Sequence, residues 1–149
     1  MEQRVSDGYR LKVKKTAEEI SRFENIVSDR AFRLALQPIV DLGTGKVHHH
    51  ECLVRFLDLK NGESPFERIT FAEEFGVISA LDYAVVCRAI EILKRMKAES
   101  LRGLSLAVNL SARSLESSKF VEALIGIRSI VIGSPSRLPN RLRSKTFMR

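Results

Sequence analysis

The stretch LALQPIVDLGTGKVHHHECLVRF, residues 34–56, decides the fold. Its first run, LALQPIVDL, and a second, from about Lys46 to Leu57, flank Gly43-Thr44-Gly45, which reads as a turn between two strands. Pro38 has no N–H to give to a ladder and therefore belongs at a strand edge or end. Alternation along the second run sets His49, Glu51, Leu53 and Arg55 on one face. His48, His50, Cys52, Val54 and Phe56 fall on the other.

Upstream, residues 12–33 read as a helix, with Ile20, Phe23, Ile26 and Val27 at helical spacing and Glu18 and Glu19 in its early turns. Downstream, Asn61-Gly62 marks a turn, and residues 67–98 are helical with a break near Gly76. Val77, Leu81, Ala84, Val85, Ala89, Ile92, Leu93 and Met96 give that region a wide apolar stripe. A third strand, Leu104 to Leu110, is apolar apart from Ser105 and Asn109, as expected of a strand buried on both sides. The next helix begins near Ser114 or Leu115 and includes Phe120, Val121 and Leu124. Strand–helix–strand–helix order from residue 46 onward predicts an α/β fold built from parallel units.

The chain has 149 residues, 44% hydrophobic and 29% charged, enough for one globular domain with a core. No apolar run approaches the roughly 18–20 residues of a membrane-spanning helix. The opening, MEQRVSDGYRLKVKK, lacks the apolar centre of a signal peptide, so a cytoplasmic protein is expected. Cys52 and Cys87 are too few for a disulfide framework and read as buried thiols. The net charge of +7 is concentrated: residues 1–124 hold nineteen Lys and Arg against eighteen acids, and residues 125–149 hold six against none. That basic end lacks a recognition motif and carries Phe147 as its single aromatic, so nucleic acid is not an expected partner.

Glu51 and Asn109 each sit on a strand-like segment and offer an oxygen, the donor that a hard divalent cation such as Mg²⁺ or Mn²⁺ takes. A strand-end Asn also caps helices, which is the competing role for Asn109. His48, His49 and His50 cannot chelate one ion together, because neighbouring strand residues point to opposite faces. His49 shares the face of Glu51. Asp82, inside the long helical region, reads as a cap or a structural ion-pair partner.

The Gln37-Pro38-Ile39 run, the Thr44-Gly45 turn and Glu51-Cys52-Leu53 with Arg55 and Phe56 resemble the opening of the EAL domain family of cyclic-di-GMP phosphodiesterases. FERITFAEEFGVISALDYAVV is similar to that family's helix region, with Thr70 where proline is usual. LAVNLSARSLESSKFVEAL is similar to its V-N-L-S strand and following helix. The resemblance covers residues 20–125 and implies part of a TIM-type (β/α) barrel whose first strand is antiparallel to the rest. It also implies metal-assisted hydrolysis of cyclic-di-GMP to the linear dinucleotide pGpG. By resemblance, Glu51 and Asn109 are metal ligands, and Gln37, Leu53 and Arg55 contact the substrate.

A barrel of this type takes about 250 residues, and three strands are legible here. The family's D-D-F-G motif is absent, and only Glu116 and Glu122 are acidic after Asn109. The expected organisation is an N-terminal extension over 1–19, the first part of the EAL domain over 20–125, and a basic tail over 126–149. The tail has the composition of disordered or out-of-frame sequence. The chain is therefore expected to be truncated after about three strands and inactive in hydrolysis. The alternative is a non-catalytic regulatory module that binds cyclic-di-GMP, a protein partner or a second copy of itself.

Overall fold

The structure is a computed structural model that describes residues 2–59, 64–98 and 104–131. The order is α1 (Glu2–Ser28), β1 (Phe32–Val40), β2 (Val47–Phe56), α2 (Pro65–Glu74), α3 (Ile78–Ala98), β3 (Leu106–Val108), α4 (Ala112–Glu116) and α5 (Ser118–Val131). The Asn61-Gly62 turn and residues 132–149 of the tail lie outside the described residues.

Helix α1 starts ten residues earlier than the apolar spacing predicts. That spacing marks only the packed end of the helix: Phe23, Ile26 and Val27 are buried, whereas residues 8–15 are exposed. The helix closes with Arg30 in the left-handed region (φ 52°). The Arg30 N–H donates to the Val27 carbonyl at 3.1 Å and the Ala31 N–H to the Ile26 carbonyl at 2.9 Å. This is a Schellman cap with arginine where glycine is usual. The α2–α3 break predicted near Gly76 repeats the motif with glycine itself (φ 73°), as Val77 N–H donates to the Ala72 carbonyl and Gly76 N–H to that of Glu73. Ser64 starts α2, its hydroxyl accepting from the Phe66 N–H at 3.2 Å, with Pro65 in the first turn.

β1 and β2 form an antiparallel hairpin from Phe32↔Phe56 to Ile39↔His49, with an irregularity between Ile39 and Val40. Asp41 organises the turn, one carboxylate oxygen accepting from the Gly43 and Thr44 N–H groups and the Thr44 hydroxyl. These bonds, those from Thr44 foremost, hold its carboxyl below the usual carboxylate range. β1 begins at Phe32, two residues before the first predicted strand residue. Pro38 indeed lies in a strand at one edge of the sheet, whose order is β1-β2-β3. β2 pairs parallel with β3 through α2 and α3, giving a mixed α/β fold.

One face of the sheet carries Phe32, Cys52 and Phe56, all buried. The core joins Phe32 and Phe56 to Phe23, Ile26 and Val27 of α1, Ala72 of α2, and Ile78, Leu81 and Val85 of α3. Cys52 is buried as expected, while Cys87 is only partly so, and burial pushes the Cys52 thiol up. The expectation that β3 is buried on both sides is not met. β3 is three residues long, half-buried and at a sheet edge, so one strand alone covers its flank. Helix α5 continues past Gly126, where the composition turns basic, as far as Val131.

Asp58 ties α1 and α2 to the end of β2. Its carboxylate accepts from Arg22 at 2.9 Å and from Arg68, whose guanidinium lies 4.9 Å from the Phe56 ring centroid. Burial alone would raise the Asp58 carboxyl, but Arg68 and then Arg22 outweigh it and hold it below the ordinary value. A depressed carboxyl adds stability that is complete above the unfolded value near pH 4 and is lost as pH falls through the folded one. Melting temperatures measured between pH 6 and pH 2 should therefore fall less in Asp58→Asn than in the wild type. The two sets of measurements should differ by no more than about 1 kcal/mol at pH 6, since Asp58 and Arg22 are partly exposed.

Candidate functional site

The sheet face opposite the core presents three rows of side chains. Gln37 stands directly across from Glu51, Ala35 from Leu53, and Arg33 from Arg55. Cross-strand partners share a face, so a carboxamide–carboxylate row, an apolar row and a guanidinium row follow one another toward the end of β2. On the other flank Glu51 pairs with Ala107 and Cys52 with Val108. Asn109 comes one step beyond, alongside Leu53, where β3 ends and the chain turns toward α4. The pleat explains the selection: Glu51 and Leu53 are half-buried and Arg55 exposed, whereas Cys52 and Phe56, between and beyond them, are buried.

Gln37, Glu51, Leu53, Arg55 and Asn109 are thus brought to one side of the sheet, on three adjacent strand segments. Gln37, Arg55 and Asn109 are exposed. A cavity of about 840 Å³ opens along the flank of β2 that β3 leaves free. Leu53, Arg55, Asp82, Asn109 and Arg113 are among the residues lining it.

Asp82 is the buried polar group behind this lip, 6% exposed. Its carboxylate accepts from the Ser111 N–H at 2.9 Å, so it anchors the segment that follows Asn109 and serves as the cap expected of it, though for a helix other than its own. Burial pushes the Asp82 carboxyl above the ordinary range. A contact from the buried Ser114 hydroxyl and the Ser111 N–H oppose that shift, and Glu73 adds to it.

Two further basic residues, Arg33 beside Arg55 on the sheet and Arg113 on the cavity wall, were not singled out from sequence. Arg33 fell at the end of a predicted helix and only the strand register places it across from Arg55. Arg113 lies in the first turn of α4, reaching the Glu74 carbonyl at 3.5 Å, and carries no motif of its own. The histidines depart from strict alternation: His48 and His49 join Nδ1 to Nδ1 at 2.9 Å, rings nearly perpendicular, at the start of β2. His50 turns inward, half-buried, and pairs across the hairpin with Pro38. Among the described residues no group of three or more His, Cys, Asp or Glu is placed to hold a metal ion. No helix among them is long and apolar enough to cross a membrane.

A family model described as the EAL domain matches residues 19–138. The oxygen sensor protein DosP of Escherichia coli K12 is 31% identical over 94 residues, which cover 62% of this chain and 12% of that protein. The biofilm architecture maintenance protein MbaA of Vibrio cholerae is 30% identical over 95 residues, again 12% of its length. The solved EAL domain of FimX from Pseudomonas aeruginosa, bound to c-di-GMP, matches with a TM-score of 0.61 at 26% identity over 76% of this chain and 45% of that one. The chain therefore spans a small part of the curated relatives it matches and less than half of that solved domain.

Proposed function

The chain belongs to the EAL domain family, and from that premise we propose that its Gln37–Glu51–Asn109 face binds cyclic-di-GMP in signal transduction. The supporting observation is the register that sets Gln37 across from Glu51, with Leu53 and Asn109 in the next row. In this reading Gln37 donates from its carboxamide to the nucleotide, Leu53 packs against it, and Arg55 takes a phosphate or a guanine edge, both matched by a planar guanidinium. The sheet would be the opening part of a (β/α) barrel, and the protein would work in the cytoplasm.

Glu51 and Asn109 fit Mg²⁺ or Mn²⁺ in donor chemistry, since both offer hard oxygens. They fit poorly in charge, because together they supply one negative charge. A two-cation hydrolytic site needs several carboxylates to hold both ions, and Glu116 and Glu122, the acids after Asn109, lie exposed on α4 and α5. A bound cation would supply Lewis-acid stabilisation of phosphate oxygens. The residues of this chain would bind and orient the nucleotide. Binding without turnover is accordingly the activity we assign to the chain by itself.

Isothermal titration with cyclic-di-GMP, with and without Mg²⁺, tests this alongside chromatography for pGpG. The wild type is expected to bind, more tightly with Mg²⁺, and to release no linear product. Glu51→Gln should keep the metal-free binding and lose the Mg²⁺-dependent gain, lowering Mg²⁺ affinity on the order of tenfold or more. A folded wild type that gives no binding heat, or accumulating pGpG, would overturn the assignment.

A further inference from the structure

Arg33 and Arg55 face each other across the hairpin, on the same side of the sheet as Glu51, and both are exposed. Like charges directly opposite on paired strands destabilise a sheet. Four other guanidiniums are paired with carboxylates: Arg22 and Arg68 share Asp58, and Arg30 and Arg88 share Glu91. Neither Arg33 nor Arg55 has a carboxylate partner among the described residues, and Arg55 bonds only to the neighbouring Val54 carbonyl, at 3.0 Å. Two guanidiniums side by side on one exposed face, without a carboxylate between them, offer an anion two sets of N–H donors. Arg55 also lines the neighbouring cavity, and of its two acids Asp82 accepts from the Ser111 N–H while Glu73 forms no ion pair with Arg55 or with any other described residue.

We propose that Arg33 and Arg55 form a two-guanidinium anion site that takes a phosphate group of the ligand, with Arg33 adding a second guanidinium to that of Arg55. Two planar forks can hold one phosphate with paired N–H donors, which neither gives alone. Glu51 and Arg55 are four residues apart, about 13 Å along the strand. The pair therefore meets a phosphate other than the one a cation at Glu51 would touch, as suits an elongated ligand with two phosphodiesters. Arg113, which lines the cavity together with Arg55, adds positive potential. The proposal rests on the reading above for the identity of the nucleotide, but not for the anion site itself.

Two probes separate these points: cyclic-di-GMP by calorimetry, and inorganic pyrophosphate followed through the arginine Nε–H resonances. Pyrophosphate should move the Arg33 and Arg55 signals together in the wild type. Arg33→Ala should weaken cyclic-di-GMP about tenfold with a shallower salt dependence, and Arg33→Lys should recover part of the loss. Without ligand, Arg33→Ala should melt at the same temperature as the wild type or slightly higher, because a repulsion is gone; a misfolded variant would not. If pyrophosphate moves neither signal, or Arg33→Ala binds both probes as the wild type does, the anion site is wrong. If pyrophosphate binds through both arginines and cyclic-di-GMP does not bind at all, the site stands and the nucleotide reading falls.

Discussion

Phe23→Ala is expected to cost about 3–5 kcal/mol, the usual result of emptying a buried aromatic position. Phe23 is 2% exposed, and its ring meets that of Phe56 at a centroid separation of 6.5 Å. It is the point where α1 grips the end of β2. Since domains of this size hold only about 5–15 kcal/mol in all, the loss should lower the melting temperature by about 10 °C or more and move the denaturant midpoint to lower concentration. Phe56→Ala should cost a similar amount, and the double variant less than their sum, because both remove one contact. A melting point within two degrees of the wild type would mean that α1 does not close the core.

Asp82→Ala is expected to cost about 2 kcal/mol, because the Ser111 N–H loses its acceptor in a half-buried place. The same change frees the segment that carries Asn109, so cyclic-di-GMP binding should weaken along with stability. Asp82→Asn keeps an acceptor and removes the buried charge, and it should restore most of both. Thermal melts of the two variants beside their calorimetric titrations decide the matter. Equal losses in Asp82→Ala and Asp82→Asn would show that the charge, not the hydrogen bond, is what the site requires.

The sequence carried a good deal of this arrangement, for reasons that can be located. Alternation in HHHECLVRF assigns Glu51, Leu53 and Arg55 to one face, and the burial of Cys52 and Phe56 agrees, because a two-residue period survives any twist of the sheet. Gly76 marked its break because a left-handed cap favours glycine. Arg30 concealed an identical cap, since arginine gives no such signal, and the predicted helix ran on over Phe32 and Arg33. That overrun hid the guanidinium pair. β3 was over-read at both ends: apolar content extends from Leu104 to Leu110, but the strand is Leu106–Val108, with the Ser105 carbonyl accepting one further bond from the His50 N–H. The partner of Asp82 was out of reach, since 29 residues separate it from Ser111 in sequence.

The pleat of the hairpin has a consequence for how such a surface can change over time. Phe32, Cys52 and Phe56 face the helices, while Arg33, Gln37, Glu51, Leu53 and Arg55 face away, so each proposed ligand-binding position is interleaved with a position that holds the chain together. Substitutions on the outer set alter charge and donor pattern without opening a void, and those on the inner set do the reverse. Recognition and foldedness are thereby separately heritable along the same two strands. A guanidinium such as Arg33 can be acquired, tried and discarded by single changes while the scaffold beneath it stays the same.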